Sequence, residues 1–178
     1  LLCYVDNVDP NMTYAVTFAT PSSDDTGVFH ILEHSVLCGS DKYPVDDPFV
    51  ELMKSSLYTF LNAMTFPDRT MYPVSSMNDK DLMNLMSVYT DAVFRPLIYD
   101  NENSFRQEGW HIEKDETGKL YYQGVVYNEM KGALGDPEEN LYQAVFGESY
   151  EPCQYTTVSG GHPDHIVKLT YEDCINNH

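Results

Sequence analysis

The sequence predicts an α+β domain in which an antiparallel-rich sheet is covered by helices. Residues 11–20 alternate and are rich in β-branched and aromatic side chains, a pattern typical of a mostly buried strand. Two further strand patterns, at residues 57–65 and 70–75, flank the turn 66–69 and indicate a hairpin. Residues 76–94 instead carry apolar side chains at helical spacing, behind an Asn or Ser cap, so helices are expected beside the strands.

The chain of 178 residues is long enough to bury one core, and we expect a single domain over residues 1–178. Its first residues have the character of the middle of a strand or turn, and its last residues that of a helix that has just begun. We therefore expect a partial domain that is truncated at both ends, from which a targeting segment cannot be judged.

The chain is strongly acidic, with 10 basic against 28 acidic residues and a formal net charge of −18. This charge disfavours nucleic acid and anionic membranes as partners and attracts cationic ligands, although the acids can equally serve only to solvate the surface. No apolar run approaches the roughly 18 to 20 residues of a membrane span, so no membrane insertion is expected. Four widely spaced cysteines fit a reducing compartment better than a disulfide framework.

The other elements follow in chain order. After a turn at residues 21–25, either Asp25 or Thr26 is expected to cap a helix, and Gly39 is well placed as the C′ glycine that ends it. The remaining expected elements are a loop at 40–48, a short helix at 49–54, a stop at Pro96, a helix at 103–112, a polar turn at 113–119, a strand at 120–123, a helix from Val125, a polar helix after Pro137 and a glycine-rich turn at 159–163.

The helix before Gly39 carries the pattern H-x-x-E-H. His30 and His34 are four residues apart, so both project from one face of a helix about one turn apart and can share one small cation. Glu33 lies on the flank of that face, where it can reach a water molecule held by the metal without being a ligand. The pattern is the reverse of the H-E-x-x-H zinc protease motif. The alternative is a pair of histidines on an amphipathic helix that bind no metal.

Glu129 is the best candidate for a third ligand. Val126 and Met130 place it on an apolar helical face, and a core-facing carboxylate needs a partner or a metal. A catalytic zinc takes three protein ligands, and two histidines with one glutamate are a standard set. Cys38 continues the four-residue spacing but lies about 12 Å along the axis from His30, so we expect it to pack as a small apolar residue. Three other histidines lie near polar or turn residues and are expected to be surface groups: His111, His162 and His165.

Five blocks of the sequence resemble the pitrilysin/insulinase family of zinc metalloproteases, specifically its presequence protease and falcilysin branch. The blocks occur in the family's order, at residues 30–40, 48–52, 61–74, 107–111 and 124–132. The resemblance implies the LuxS/mitochondrial-processing-peptidase-like metallohydrolase fold and one Zn²⁺ per site. It implies zinc ligands at His30, His34 and Glu129, and a general base at Glu33.

Two further roles are implied by the resemblance. An acid that supports a zinc ligand usually precedes the third ligand by seven residues, where this chain has Tyr122. This branch inserts a hairpin between the two, so Glu108 is the expected counterpart. The strand around Leu61, Asn62 and Ala63 matches the edge strand on which the family holds an extended peptide by main-chain hydrogen bonds, although a plain hairpin is the alternative for this segment.

The expected activity is therefore endoproteolysis of short unstructured peptides, such as cleaved and often basic targeting peptides. The resemblance implies an enclosed chamber completed by the C-terminal half of the same protein, so the fragment alone is expected to be inactive. It also implies a mitochondrial or plastid-like location. The alternative is a non-catalytic relative that acts as a structural or peptide-binding subunit, but such relatives have typically lost part of the motif that stands complete here.

Overall fold

The computed structural model of the chain describes residues 1–45 and 48–178. Residues 46 and 47 belong to the predicted loop at 40–48 and lie outside the described residues. Helices and antiparallel strands make up the fold, which confirms the predicted α+β class.

A four-stranded antiparallel sheet forms one layer of the fold. Its strands are β1 (Met12–Ala19), β2 (Tyr58–Leu61), β3 (Met64–Thr65) and β4 (Arg69–Ser76). The order is β1-β4-β2, and β3 also pairs with β4. The strand expected over 57–65 is therefore two shorter strands, because the chain leaves the extended ladder at Asn62 and Ala63, where the Asn62 side chain accepts a hydrogen bond from the next amide at 3.0 Å.

Helices and a second, two-stranded sheet complete the fold. The helices are α1 (Val28–Val36), α2 (Pro48–Ser55), α3 (Asp79–Phe94), α4 (Glu102–Glu108), α5 (Val125–Ala133), α6 (Pro137–Ser149), α7 (Pro163–Ile166) and α8 (Tyr171–Asn176), with a 3₁₀ turn at Leu97–Tyr99. The second sheet pairs β5 (His111–Lys114) with β6 (Leu120–Gln123). None of the helices in the described part of the chain combines the length and the apolar character needed to cross a membrane.

Helix α3 forms where the pattern predicted it. The Asn78 side chain accepts a hydrogen bond from the amide of Asp81, which caps the helix, and Pro96 follows its end. Leu85, Tyr89 and Val93 lie on its buried face. They join the side chains of β4 in one of two core clusters, so the apolar face of this helix packs against the sheet.

Helix α1 lies between the two core clusters, and this placement fixes the metal motif. Ile31 and Leu32 pack into a cluster with residues of α4, α5, α7 and α8, whereas Val36 packs into the cluster of the sheet and α3. Ile31 and Val36 are 0% and 1% exposed. Since both clusters hold α1 in place, the face of α1 that carries His30 and His34 has a fixed orientation.

Three boundary predictions were wrong. The N-cap of α1 is Gly27, at φ 66°, with no side-chain cap, because Asp25 instead accepts a hydrogen bond from the amide of Val158. Leu37 is the C-cap, so Gly39 follows one residue beyond the C′ position. The helix expected at 103–112 ends at Glu108, because the residues from His111 onward pair with β6, a non-local interaction that overrides local helical spacing.

Candidate active site

The two imidazoles of α1 and the carboxylate of α5 converge. The rings of His30 and His34 have centroids 5.0 Å apart. Glu129 Oε2 lies 3.7 Å from His30 Nε2 and 3.7 Å from His34 Nε2. One ligand atom from each of the three residues lies within 4.8 Å of the other two. The structure thus brings together the three residues that the sequence singled out.

The cluster fits a small tetrahedral cation. Atoms bound about 2.0–2.1 Å from one tetrahedral zinc ion lie roughly 3.4 Å apart, and two nitrogens with one carboxylate oxygen are a standard catalytic ligand set. The observed 3.7 Å separations are only slightly wider. Glu129 is the half-exposed member, with 53% of its side chain accessible, so this side chain has room to adjust its position.

Glu129 does not face the core, in contrast to the prediction. Val126 is the buried residue of α5, and Glu129 opens onto a cleft of about 720 Å³. The apolar spacing around Glu129 comes from neighbouring side chains that pack against the core. One of them, Met130, packs at the edge of the core and also lines this cleft.

Each imidazole is held through its second ring nitrogen. His34 Nδ1 donates to Glu108 Oε2 at 3.2 Å, and His30 Nδ1 donates to the backbone carbonyl of Gly160 at 2.9 Å. Histidines that bind metals usually make such a second contact, which fixes the tautomer and the ring orientation. Glu108 is therefore placed where the resemblance required a supporting acid, while Gly160 was not identified from the sequence.

The pKa values of the His34–Glu108 pair are shifted towards the charged forms. Burial lowers the pKa of His34, but the hydrogen bond to Glu108 and the negative charges of Glu33, Glu108 and Glu129 outweigh it, so this pKa is raised above 6.5. Burial raises the pKa of Glu108, but hydrogen bonds from His34 and Gln107 outweigh it, and the pKa falls below 4.5. The negative charges around His34 accordingly favour a positive charge in the site.

Glu33 is buried beside the cluster and is fixed by the sheet. It is 7% exposed, and the Thr65 hydroxyl donates a hydrogen bond to its Oε2 at 2.6 Å. Thr65 belongs to β3, which packs against α1, and lies 32 residues from Glu33 along the chain. The sequence analysis did not identify Thr65, because nothing in the local pattern relates it to the motif.

The cleft passes from the cluster to the edge of the sheet. Its lining consists of His30, Glu33, His34, Leu37, Phe49, Asn62, Ala63, Met64, Thr65, Phe66, Glu108, Glu129, Met130 and Gly160. Of the three residues expected to bind substrate, Asn62 and Ala63 line the cleft, whereas Leu61 packs against the core cluster of the sheet. In the described part of the chain no second strand pairs with the outer edge of β2.

Other candidate residues lie outside the cluster. Cys38 Sγ is 3.6 Å from Glu108 Oε1, so its surroundings are polar and the expected apolar packing is wrong. Tyr122 packs between the rings of Trp110 and Tyr127 on β6, away from the histidines. Among the described residues, three other histidines join no group of potential ligand side chains close enough to share one metal ion: His111, His162 and His165.

The fold is that of a known class of proteases. The chain superposes on the crystal structure of a protease from Helicobacter pylori with a TM-score of 0.72 and 20% sequence identity, covering 94% of this chain and 37% of that one. The family pattern of insulinase (peptidase family M16) matches residues 19–130, and the chain belongs to this family.

Curated relatives are similar over nearly the whole chain. Protein HypA of Clostridium perfringens is 55% identical over 172 residues, which are 96% of this chain and 18% of that protein. Presequence protease 1, chloroplastic/mitochondrial, of Arabidopsis thaliana is 53% identical over 171 residues, which are 95% of this chain and 16% of that protein. This chain therefore spans less than a fifth of the length of these relatives.

Proposed function

We propose that this chain is the N-terminal zinc-binding catalytic domain of a larger zinc endopeptidase. The observation that carries the proposal is the convergence of His30, His34 and Glu129 on one point, with the buried carboxylate of Glu33 beside them. Membership of a peptidase family makes peptide-bond hydrolysis the reaction such a cluster would perform.

His30, His34 and Glu129 would hold the zinc ion. A zinc ion in such a site polarises a carbonyl group and lowers the pKa of a bound water towards about 7. Glu33 is the general base, which accepts a proton from the attacking water and transfers it to the departing amine. Glu108 holds His34 with Nε2 turned towards the other ligands, through the hydrogen bond at Nδ1.

The sheet edge beside the cluster would hold the substrate. Asn62 and Ala63 lie between β2 and β3 and line the cleft, so an extended peptide in the cleft would run along this edge of the sheet. An unstructured peptide can adopt the extended conformation that such pairing requires, whereas a folded protein cannot. Short unstructured peptides are therefore the proposed substrates.

The remainder of the full-length protein would complete the site. The matched relatives are more than five times as long as this chain, and we propose that a C-terminal half of the same protein encloses the cleft. The fragment alone would then be inactive. Similarity to a presequence protease of chloroplasts and mitochondria supports targeting peptides as substrates and an organellar location.

The test is peptide cleavage by the full-length protein, with a basic, unstructured peptide of about 20 residues as substrate. We expect cleavage that a chelator abolishes and that one equivalent of Zn²⁺ restores. A folded full-length protein that binds the peptide and never cleaves it, with zinc added, would instead identify a non-catalytic peptide-binding relative.

A further inference from the structure

We propose that the glycine-rich turn at residues 159–163 positions His30 for metal binding, an inference that rests on the metal site proposed above. Gly160 lies 130 residues after His30 in the sequence, and its backbone carbonyl oxygen is 2.9 Å from His30 Nδ1. The site would therefore be assembled from the histidine helix, the Glu129 helix and this turn, so that changes in the turn alter the affinity for the metal.

The chemistry of the contact sets the tautomer of the ring. A backbone carbonyl can only accept a hydrogen bond, so Nδ1 of the neutral His30 ring must carry the proton. The lone pair is then on Nε2, the nitrogen that faces Glu129 Oε2 at 3.7 Å. A metal ligand needs this tautomer, and a fixed partner on the opposite nitrogen is the usual means of selecting it.

The turn packs directly against the start of α1, with no space for a side chain between them. A Cβ atom on Gly27 would lie 2.6 Å from the Gly160 carbonyl oxygen and 2.7 Å from Gly161 Cα, and the φ angle of Gly27 is 66°. Both contacts are with backbone atoms, which cannot rotate away. Glycine at position 27 thus lets the turn approach closely enough for its carbonyl to reach His30.

Asp25 anchors the turn from the same side. Its Oδ1 atom accepts a hydrogen bond from the amide of Val158 at 2.8 Å, and its backbone carbonyl accepts one from the amide of His162 at 2.8 Å. Within the turn, the amide of Gly161 donates to the carbonyl of Val158 at 2.8 Å. These contacts fix both ends of the turn relative to α1 and explain why Asp25 does not cap the helix.

Met130 closes the turn from the opposite side. A Cβ atom on Gly160 would lie 2.7 Å from Met130 Sδ, so the turn fills the space between α1 and α5. Met130 directly follows Glu129 in sequence. A shift of the turn would therefore disturb the spacing between His30 and Glu129 as well as the orientation of the ring.

The first experiment measures zinc affinity of the full-length protein by competition with a chromogenic chelator. Gly27→Ala forces the Gly160 carbonyl away from His30, and we expect zinc to bind about 10- to 100-fold more weakly, the usual effect of losing such a supporting contact. The matched control is Gly118→Ala. Gly118 has a similarly positive φ of 89°, but its Cβ would meet only the flexible side chain of Lys114, at 3.3 Å, so zinc affinity should stay within about twofold.

A second pair of variants avoids the steric clash. Asp25→Ala removes the acceptor that anchors Val158, whereas Asp25→Asn retains an oxygen at the same place and loses only the charge, which also faces His165 at 3.6 Å. We expect Asp25→Ala to weaken zinc binding about 10-fold and Asp25→Asn to bind within about twofold of the wild type. Should Gly27→Ala fail to fold, this pair decides the question.

His30→Ala separates failure of this inference from failure of the metal site itself. If His30→Ala binds zinc as tightly as the wild type, the proposed site is wrong. If His30→Ala loses zinc while the folded Gly27→Ala and Asp25→Ala variants retain wild-type affinity, the site stands and the turn does not position it. Equal weakening by Asp25→Ala and Asp25→Asn would also overturn the inference, because the charge rather than the anchoring hydrogen bond would then be responsible.

Discussion

Thr65→Val tests whether the hydroxyl beside Glu33 contributes to hydrolysis. Valine has nearly the shape of threonine, so the substitution removes the 2.6 Å hydrogen bond to Glu33 Oε2 and a longer, 3.5 Å contact with the carbonyl of Phe29. A hydrogen bond to a charged group is worth about 1.5–3 kcal/mol. Since about 1.36 kcal/mol corresponds to a factor of ten in rate, and the carboxylate loses its fixed orientation towards the attacking water, we expect kcat to fall about 10- to 100-fold.

The assay is steady-state cleavage of a fluorogenic peptide by the zinc-loaded, full-length enzyme. KM should change little, because the lost contact orients the base and does not touch the substrate. Thr65→Ser keeps the hydroxyl and should recover most of the activity. Thr13→Val is the matched control, since its hydroxyl bonds Ser75, at 2.8 Å, on β4 five residues beyond Thr70, the strand partner of Thr65. A Thr65→Val enzyme with full zinc content and a kcat within twofold of the wild type would refute the reasoning.

Three further predictions concern the base, the acid stability and the charge. Glu33→Gln should reduce kcat about 100- to 10,000-fold while leaving zinc content unchanged, because it removes the proton acceptor and no proposed ligand; wild-type turnover would exclude Glu33 as the base. Burial raises the pKa of Asp91, but hydrogen bonding from the Lys42 amide at 2.7 Å and the charge of Arg95 outweigh it and hold the pKa below 3.8. The contribution of Asp91 to the free energy of unfolding is therefore present above about pH 3.8 and is lost as the pH falls through the lower pKa that Asp91 has in the folded state. Asp91→Asn should flatten this part of a plot of the free energy of unfolding against pH. A plot parallel to that of the wild type would contradict the assignment. The charge of −18 on this chain should make the second-order rate constant for a basic peptide fall as salt is raised, because salt screens charges over about 8 Å at physiological ionic strength. The rate constant for a neutral peptide of equal length should change little. Equal salt responses for the two peptides would leave only a solvating role for the acidic residues.

Local spacing in the sequence singled out the residues that converge, although it wrongly placed Glu129 towards the core. His30 and His34 share a face because they are one helical turn apart, and Glu129 was found because it interrupts an apolar pattern. The fold class followed from the same reasoning, since the alternating strands and the 76–94 helix pattern are strong local signals. The roles of these residues as ligands stay predictions.

Contacts between distant segments could not be inferred in the same way. Thr65 and Gly160 reach Glu33 and His30 from 32 and 130 residues away, and no periodicity links such positions. The same limit explains the boundary errors: the pairing of His111 with Gln123 ended a helix pattern. Asp25 has the chemistry of a helix cap, but its side chain binds the distant amide of Val158 instead.

The central claim is that one zinc ion is held by His30, His34 and Glu129 with Glu33 outside its coordination shell. The most direct measurement is anomalous diffraction at the zinc absorption edge from crystals of the full-length protein. We predict a single peak on this chain, about 2.0–2.2 Å from Nε2 of both histidines and from a carboxylate oxygen of Glu129. A zinc ion bound elsewhere on the chain, or one coordinated by Glu33 in place of Glu129, would contradict the account.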